Sequence, residues 1–475
     1  MSTLRLAAHV KHFSRCFCAN KDVYRTLLSD AYKCQSSWDQ RLNDAFLSKV
    51  VFSDYMVKVH NKFEKNQSSF LDMDILANKV HEINDSEVEL FESILEQFRM
   101  TENGRQISSS IKHAIVRGYI TIDLTDRLLV MIKDKIKYGL QLDFISANIL
   151  MDYFIKKNKY LEASRVAFEM MLQEDFENKT TFLLSLYATT KLLYHPVVTE
   201  TKDSKQPTAE DEEEVWERVK IVEFPFYDDH FSIQSQTFLH GKTLYMLGKQ
   251  LGGVEGRSLQ FVGLGMYEKF PRALNLLKDW LAQTDGELIV KDTVTQFDEL
   301  LQNAATRNPD EPEKDFGLLR IEDEIHKLKL TPSEKEQCIA DWQELKKRLQ
   351  NEKRLSSINL EEKISEYVKN TIPAHEDVDI KKLKLDIELW RTNRRSEFDR
   401  EIKEYQRRQK QQEIQEKLIE MQAKEELFAY YKHQNEIKLA MRIAPEPYPE
   451  PPKKKELTED EETELKPKQK QKAKK

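Results

Sequence analysis

Glycine and proline are scarce in this chain of 475 residues, which contains 12 glycines and 14 prolines. Proteins rich in β-structure need both residues at many turns, so this scarcity argues against a β-rich fold. With 33% charged residues, the composition predicts a mostly helical protein. Hydrophobic residues make up only 39% of the chain, which is low for one compact globule. Part of the chain is therefore expected to be solvated helix or disordered.

Cysteine, excess positive charge and long apolar runs are lacking as well. The four cysteines suggest neither a metal-ligand cluster nor a disulfide framework, which favours a reducing compartment: Cys16, Cys18, Cys34 and Cys338. The formal net charge of −7 argues against a whole-surface electrostatic RNA binder but leaves room for local basic patches. No run of about 18 apolar residues occurs, so the sequence predicts no transmembrane helix.

Motifs for catalysis and for cofactors are missing too. The eleven histidines show no ligand spacing, and no Gly-x-Ser-x-Gly element occurs. A glycine-rich segment lacks the Lys-Ser/Thr of a phosphate loop, and we interpret it as an interhelical loop: Gly252, Gly253, Gly256, Gly263 and Gly265. The sequence thus predicts a protein that is not an enzyme, with no cofactor, no metal and no small-molecule substrate.

The first 21 residues contain bases and no acid. Apolar residues between the bases fall roughly on one side of a helix, as in a mitochondrial import signal: Leu4, Leu6, Val10 and Phe13 between Arg5, Lys11, Arg15 and Lys21. We expect residues 1–28 to be a mitochondrial targeting segment. The alternative is an ordinary basic, frayed terminus.

Helical hairpins of about 35 residues follow each other in the first half of the chain, which is the period of an α-solenoid. The clearest runs from Asp143 to Phe176, with Asn158 at the turn, where its side chain tolerates the left-handed conformation. Ala163 is small at the point where the two helices should cross. These units predict an all-α fold, a solenoid of helical hairpins that is extended by a long charged C-terminal helical segment.

Composition shifts divide the chain further. We expect a helical repeat domain at 29–195, with units near 109–143 and 144–178, then an acidic disordered insert at 196–214 and further helical hairpins at 215–301. A linker is expected at 302–331, a charged helical or coiled-coil extension at 332–442, and a disordered tail rich in Pro, Glu and Lys at 443–475. Within the extension, Pro373 is predicted to end a helix.

The hairpin resembles a pentatricopeptide repeat in Asp143, Asn148, Leu150-Met151-Asp152, Lys156, Glu162-Ala163, Val166 and Met170. A tetratricopeptide repeat is the second choice, because it usually has a small residue where Met151 stands. Other segments resemble one particular family: Leu28-Ser29-Asp30-Ala31-Tyr32, Lys137-Tyr138-Gly139, Phe168-Glu169-Met170-Met171 and Tyr245-Met246-Leu247-Gly248. It is the pentatricopeptide-repeat protein family of the mitochondrial small ribosomal subunit, number twenty-seven in that series.

That resemblance covers roughly residues 22–285 and carries several implications. It implies a structural ribosomal component in the mitochondrial matrix that contacts small-subunit rRNA and other mitochondrial ribosomal proteins. The alternative is a free pentatricopeptide factor that processes or stabilises transcripts. Such factors usually have many consecutive repeats and a basic groove, whereas this chain shows two or three units in a stretch without net charge.

Two sets of residues are candidates for binding RNA. Asn148 and Asn178 occupy base-reading positions of the repeat, as do His113 and Asp143 one unit earlier, although packing or capping would explain them equally simply. The second set is a basic cluster that could contact phosphates: Arg391, Arg394, Arg395, Arg400, Lys403, Arg407, Arg408 and Lys410. A solvated, salt-bridged helix face is the alternative for this cluster.

Overall fold

A computed structural model describes residues 27–44, 47–65, 69–101, 104, 107–196, 233, 235–284, 286–306 and 330–443. These residues form sixteen α-helices and one pair of two-residue strands, which confirms the predicted all-α fold. Of the predicted segments, residues 1–26, 197–232, 307–329 and 444–475 lie outside the described residues, so the first part of the hairpins predicted at 215–301 is not covered. Leu27 and Leu28, at the end of the predicted targeting segment, are buried, and the Leu28 backbone N–H donates to Asp152 Oδ1 at 3.4 Å.

Most consecutive helices are joined by short connections, and the longer stretches 195–235 and 304–331 lie mostly outside the described residues. Their bounds are α1 Gln35–Asp39, α2 Phe52–Glu64, α3 Phe70–Lys79, α4 Val88–Arg99, α5 Ser109–Thr121, α6 Thr125–Lys133, α7 Lys135–Tyr138, α8 Phe144–Lys156, α9 Tyr160–Leu172, α10 Lys179–Tyr194, α11 Gln236–Leu251, α12 Gly253–Met266, α13 Phe270–Gln283, α14 Lys291–Asn303, α15 Pro332–Asn351 and α16 Leu360–Ile443. The strands β1 (Ile289–Val290) and β2 (Leu355–Ser356) pair in parallel, with Ile289 opposite Leu355.

The chain divides into two compact units, the first ending at Glu397 and the second beginning at Phe398. Helix α16 contributes residues to both. The first unit holds two hydrophobic cores. One joins α1 to α12 and the first part of α16. The other joins α12 to α15 around the stacked rings of Phe261 and Phe297, with the ring of Trp342 edge-on to Phe297.

The α8–α9 hairpin forms as its sequence predicts. Asp143 caps α8, because its Oδ1 accepts a hydrogen bond from the Ser146 backbone N–H at 3.2 Å. Asn158 takes the left-handed conformation at the turn with φ +55°, and Asp123 does the same between α5 and α6 with φ +58°. Ala163 is fully buried on α9, a helix that packs against α8. Its place at the crossing of the two helices stays a prediction.

The glycine-rich segment is not a loop, apart from its first two residues. Gly252 and Gly253 have positive φ at the turn. Gly256 and Gly263 lie inside α12 and face glycines of α11, whereas Gly265 faces Phe297 of α14. A Cβ added to Gly248 would lie 2.6 Å from the carbonyl oxygen of Gly256, and one added to Gly263 would lie 2.5 Å from that of Gly241. The interpretation as a loop was wrong because these glycines permit a close helix crossing rather than a turn.

Helix α16 continues through Pro373, which the sequence predicted to end a helix. A proline inside a helix removes one backbone hydrogen bond and costs about 3 kcal/mol. The prediction was wrong because apolar residues on both sides of Pro373 anchor the same helix face in the core: Leu360, Ile364, Val368 and Ile372 before it, Leu383 and Ile387 after it. Their burial outweighs the local cost.

Candidate nucleic-acid interface

Asn148, the first predicted base-reading residue, is fully buried on α8. Its Nδ2 donates to Tyr32 Oη at 2.8 Å, and that hydroxyl donates to Asp379 Oδ2 of α16 at 3.3 Å. Burial and the charge of Asp379 raise the pKa of Tyr32 well above its usual value, so the phenol keeps its proton and remains a donor. Asn148 therefore contacts other parts of the same chain.

Asn178, the second predicted base-reading residue, caps α10, where its Oδ1 accepts from the Thr181 backbone N–H at 2.9 Å. Its Nδ2 donates to Asp379 Oδ1 at 2.9 Å. One carboxylate of α16 thus accepts hydrogen bonds from Tyr32 and from Asn178. Asp379 thereby contacts Asn178 directly and Asn148 through Tyr32, and both asparagines are predicted base-reading positions.

His113, one unit earlier, is also fully buried. Its ring lies 5.0 Å from that of Trp38 and 5.2 Å from that of Trp390 of α16. Nε2 accepts a hydrogen bond from Arg117 Nε at 2.7 Å, so Nδ1 carries the proton and faces Ser146 Oγ at 3.2 Å. Burial, followed by the charge of Arg117, lowers the pKa of His113 well below its usual value, and the imidazole is neutral.

The basic cluster separates into two groups. Its first three arginines lie in the first unit and pair with acids there. Arg394 is 4% exposed, and its guanidinium contacts Asp74 while Nη2 donates to Ser110 Oγ at 3.1 Å. Arg391 Nη2 lies 2.9 Å from Asp44 Oδ1, and Arg395 Nη2 lies 3.6 Å from the same oxygen. Arg394 is therefore a buried partner within the protein.

The remaining members of the cluster lie in the second unit, on the part of α16 that begins at Phe398. All five are exposed: Arg400, Lys403, Arg407, Arg408 and Lys410. Three share one helix face because they are three or four positions apart, namely Lys403, Arg407 and Lys410. Arg408 points elsewhere, since it directly follows Arg407. The fifth member, Arg400, is one turn before Lys403.

Sequence reasoning missed the partners that cover the repeat positions. Glu376 Oε1 accepts from the Ser29 backbone N–H at 2.9 Å and also from the Ser29 hydroxyl. Glu376 is 8% exposed and Asp379 is 5% exposed. The sequence does indicate that these two acids are buried, because both continue the buried row of α16 at helical spacing between Ile372 and Leu383. Buried acids in an apolar row indicate a specific partner.

Among the described residues, no three or more His, Cys, Asp or Glu side chains come together in a way that would hold a metal ion. Nor does any helix in these ranges combine the length and the apolar character needed to cross a membrane.

The family model described as Mitochondrial 28S ribosomal protein S27 matches residues 3–420 of the chain. The match covers the helical hairpins, the acids of α16 that face them, and Lys403, Arg407 and Lys410. Because it extends over far more than half of the 475 residues, the chain belongs to this family of proteins of the mitochondrial small ribosomal subunit.

Proposed function

We propose that the protein is a structural component that binds small-subunit rRNA and neighbouring ribosomal proteins in the mitochondrial matrix, without catalysing a reaction. Membership of the family supports the association with the mitochondrial ribosome. The observation that carries the rRNA contact is a basic stripe on the second unit. We define this stripe as Lys403, Arg407, Lys410 and Lys417, all of which are exposed.

The stripe follows one face of a continuous helix. Its positions are separated by four, three and seven residues, which keeps the side chains aligned at 3.6 residues per turn. Ile414, between Lys410 and Lys417, occupies the remaining position of the row, so no acid interrupts it. At 1.5 Å per residue the stripe is about 21 Å long. Three acids border the row, since each is three or four positions from a stripe residue: Glu404, Glu413 and Glu420. Glu401 and Glu416 lie on the opposite side of the helix.

Such a row suits the phosphate backbone of a folded RNA. Phosphate contacts need positive charge and no particular base, and they set the position of a protein on its nucleic acid. The net charge of −7 for the whole chain does not oppose this contact, since the screening length at physiological salt is about 8 Å. Residues further away than that contribute little to the local field.

The test compares two variants that lose the same charge. One carries Lys403→Gln, Arg407→Gln and Lys410→Gln, and the control carries Arg408→Gln, Lys438→Gln and Arg442→Gln, which lie off the stripe on the same helix. Binding of small-subunit rRNA is measured over a series of salt concentrations. We expect the stripe variant to lower the salt slope by about 2–3, at 0.7–0.9 for each phosphate contact, and the control to lower it by less. Equal slopes for both variants would rule out the stripe as the contact.

Ribosomal residence is tested separately by sedimenting mitochondrial lysate in magnesium. We expect the protein to migrate with the small subunit. A protein that stays at the top of the gradient would instead favour a free pentatricopeptide factor. That alternative is disfavoured by the buried and internally bonded state of Asn148 and His113, which leaves neither available to a base.

A further inference from the structure

Three of the four base-reading positions of the hairpins are in contact with other parts of the chain. Asn178 bonds to Asp379, Asn148 reaches Asp379 through Tyr32, and His113 lies against Trp390. We infer that this polar face binds the chain's own segment Leu360–Glu397 in the place where a repeat of this kind binds single-stranded RNA. We call this segment the internal ligand.

The sequence of the internal ligand is complementary to the surface that it covers. Its buried row is apolar from Leu360 to Ile372, carries two carboxylates at Glu376 and Asp379, and is apolar again from Leu383. The apolar parts pack into the first core. The carboxylates fall where the hairpins and the N-terminal segment present hydrogen-bond donors. The order of apolar and acidic residues in the helix therefore matches the surface that it covers.

The carboxylates accept the hydrogen bonds that oxygens of RNA would otherwise accept. The face offers the Asn178 amide, the Tyr32 hydroxyl and the Ser29 N–H as donors, and Asp379 and Glu376 supply the acceptors. A phosphate or a pyrimidine carbonyl would present the same kind of acceptor to these groups. Because the donors are already used, single-stranded RNA would have to displace the helix before it could reach them.

The same contacts define the register of the helix. Moving α16 by one turn would place the carboxylate of Asp379 where Leu383 now packs, or, in the other direction, that of Glu376 where Ile372 now packs. A buried carboxylate without donors is strongly unfavourable. The face thus selects one alignment of this segment. It behaves as a binding site for an amphipathic helix with two acids three positions apart.

The test uses the full chain in which all four stripe residues are replaced by Gln, namely Lys403, Arg407, Lys410 and Lys417, so that the basic stripe contributes no charge. In this background, Glu376→Ala and Asp379→Ala remove the carboxylates. The probe is a fluorescein-labelled oligouridine of 20 nucleotides. Hydrogen exchange of the amides between Leu360 and Glu397 reports whether the helix stays in place. Because the stripe is already neutralised, the outcome does not depend on the proposed rRNA contact.

We expect the background chain to bind oligouridine weakly, with no dependence on Asn148. Loss of both carboxylates should speed amide exchange around Asp379 at least tenfold and raise the affinity for oligouridine at least tenfold. Adding Asn148→Ala and Asn178→Ala should abolish that gain.

Three results would overturn the inference. One is binding of oligouridine by the background chain that Asn148→Ala weakens while the helix amides stay protected, since the face would then be open. Another is faster exchange with no gain in affinity. The last is exchange around Asp379 that is unchanged by loss of the carboxylates, because these groups would then not hold the helix.

Discussion

Replacing Arg394 by methionine removes the positive member of a buried ion pair while keeping most of the side-chain stem. The side chains of Arg394 and Asp74 are both 3% exposed, and Ser110 Oγ donates to Asp74 Oδ1 at 2.8 Å. In the variant, Asp74 keeps that hydroxyl but loses its charged partner. Breaking a buried pair in this way typically costs about 3–5 kcal/mol. We expect the free energy of unfolding in urea to fall by that amount.

The matched control is the neighbouring Arg395→Met. That side chain is 65% exposed and lies 3.6 Å from Asp44 Oδ1, so its loss should cost no more than about 1 kcal/mol. Adding Asp74→Asn to Arg394→Met should recover part of the stability, because the group left behind is then neutral. If the two arginine variants unfold at the same urea concentration, Arg394 does not stabilise the core. If Arg394→Met lowers rRNA affinity at unchanged stability, the arginine acts on RNA instead.

Three further predictions concern packing and titration. Ala163→Leu should overpack the α8–α9 crossing and cost about 1–3 kcal/mol in urea unfolding, and an unchanged midpoint would show that the helices separate freely. Gly248→Ala should cost a similar amount, since its Cβ would meet the Gly256 carbonyl oxygen at 2.6 Å, and unaltered thermal unfolding would contradict the close crossing. Burial lowers the pKa of His240 to about 4, although its bond to the Thr189 carbonyl opposes the shift. The unfolded chain therefore takes up the proton first as the pH falls below about 6.5, and between pH 7 and pH 5 the protein should lose about 2 kcal/mol more stability than its His240→Gln variant. Parallel losses in the two proteins would refute that assignment.

The sequence predicted those features that depend on neighbours in the chain. Asn158 tolerates positive φ at the turn of the hairpin, which is a local property, and the structure confirms this prediction. The capping of α8 by Asp143 and the burial of Ala163 are local features of the same kind. The general all-α class followed from composition and period in the same way.

The features that sequence reasoning missed depend on residues far apart in the chain. The partner of Asn178 is Asp379, 201 positions away. The buried apolar row around Asp379 indicates that this acid has a partner, but nothing near either residue identifies which one it is. Arg394 looked like its basic neighbours, because its burial comes from Asp74, 320 positions earlier. Pro373 was misjudged for a related reason, since the core that holds the helix across it is formed by other segments.

The contacts between the two ends of the first unit have a consequence for the order of folding. Ser29 bonds to Glu376, Tyr32 to Asp379 and Asp44 to Arg391, and each pair is separated by 347 positions. On the ribosome that synthesises it, the N-terminal segment emerges long before its partners exist. Contacts of such high sequence separation form late and slow the overall rate. A nascent chain released before about residue 394 would leave the earliest-made residues without their partners, so completion of the last helix decides when the first residues become native.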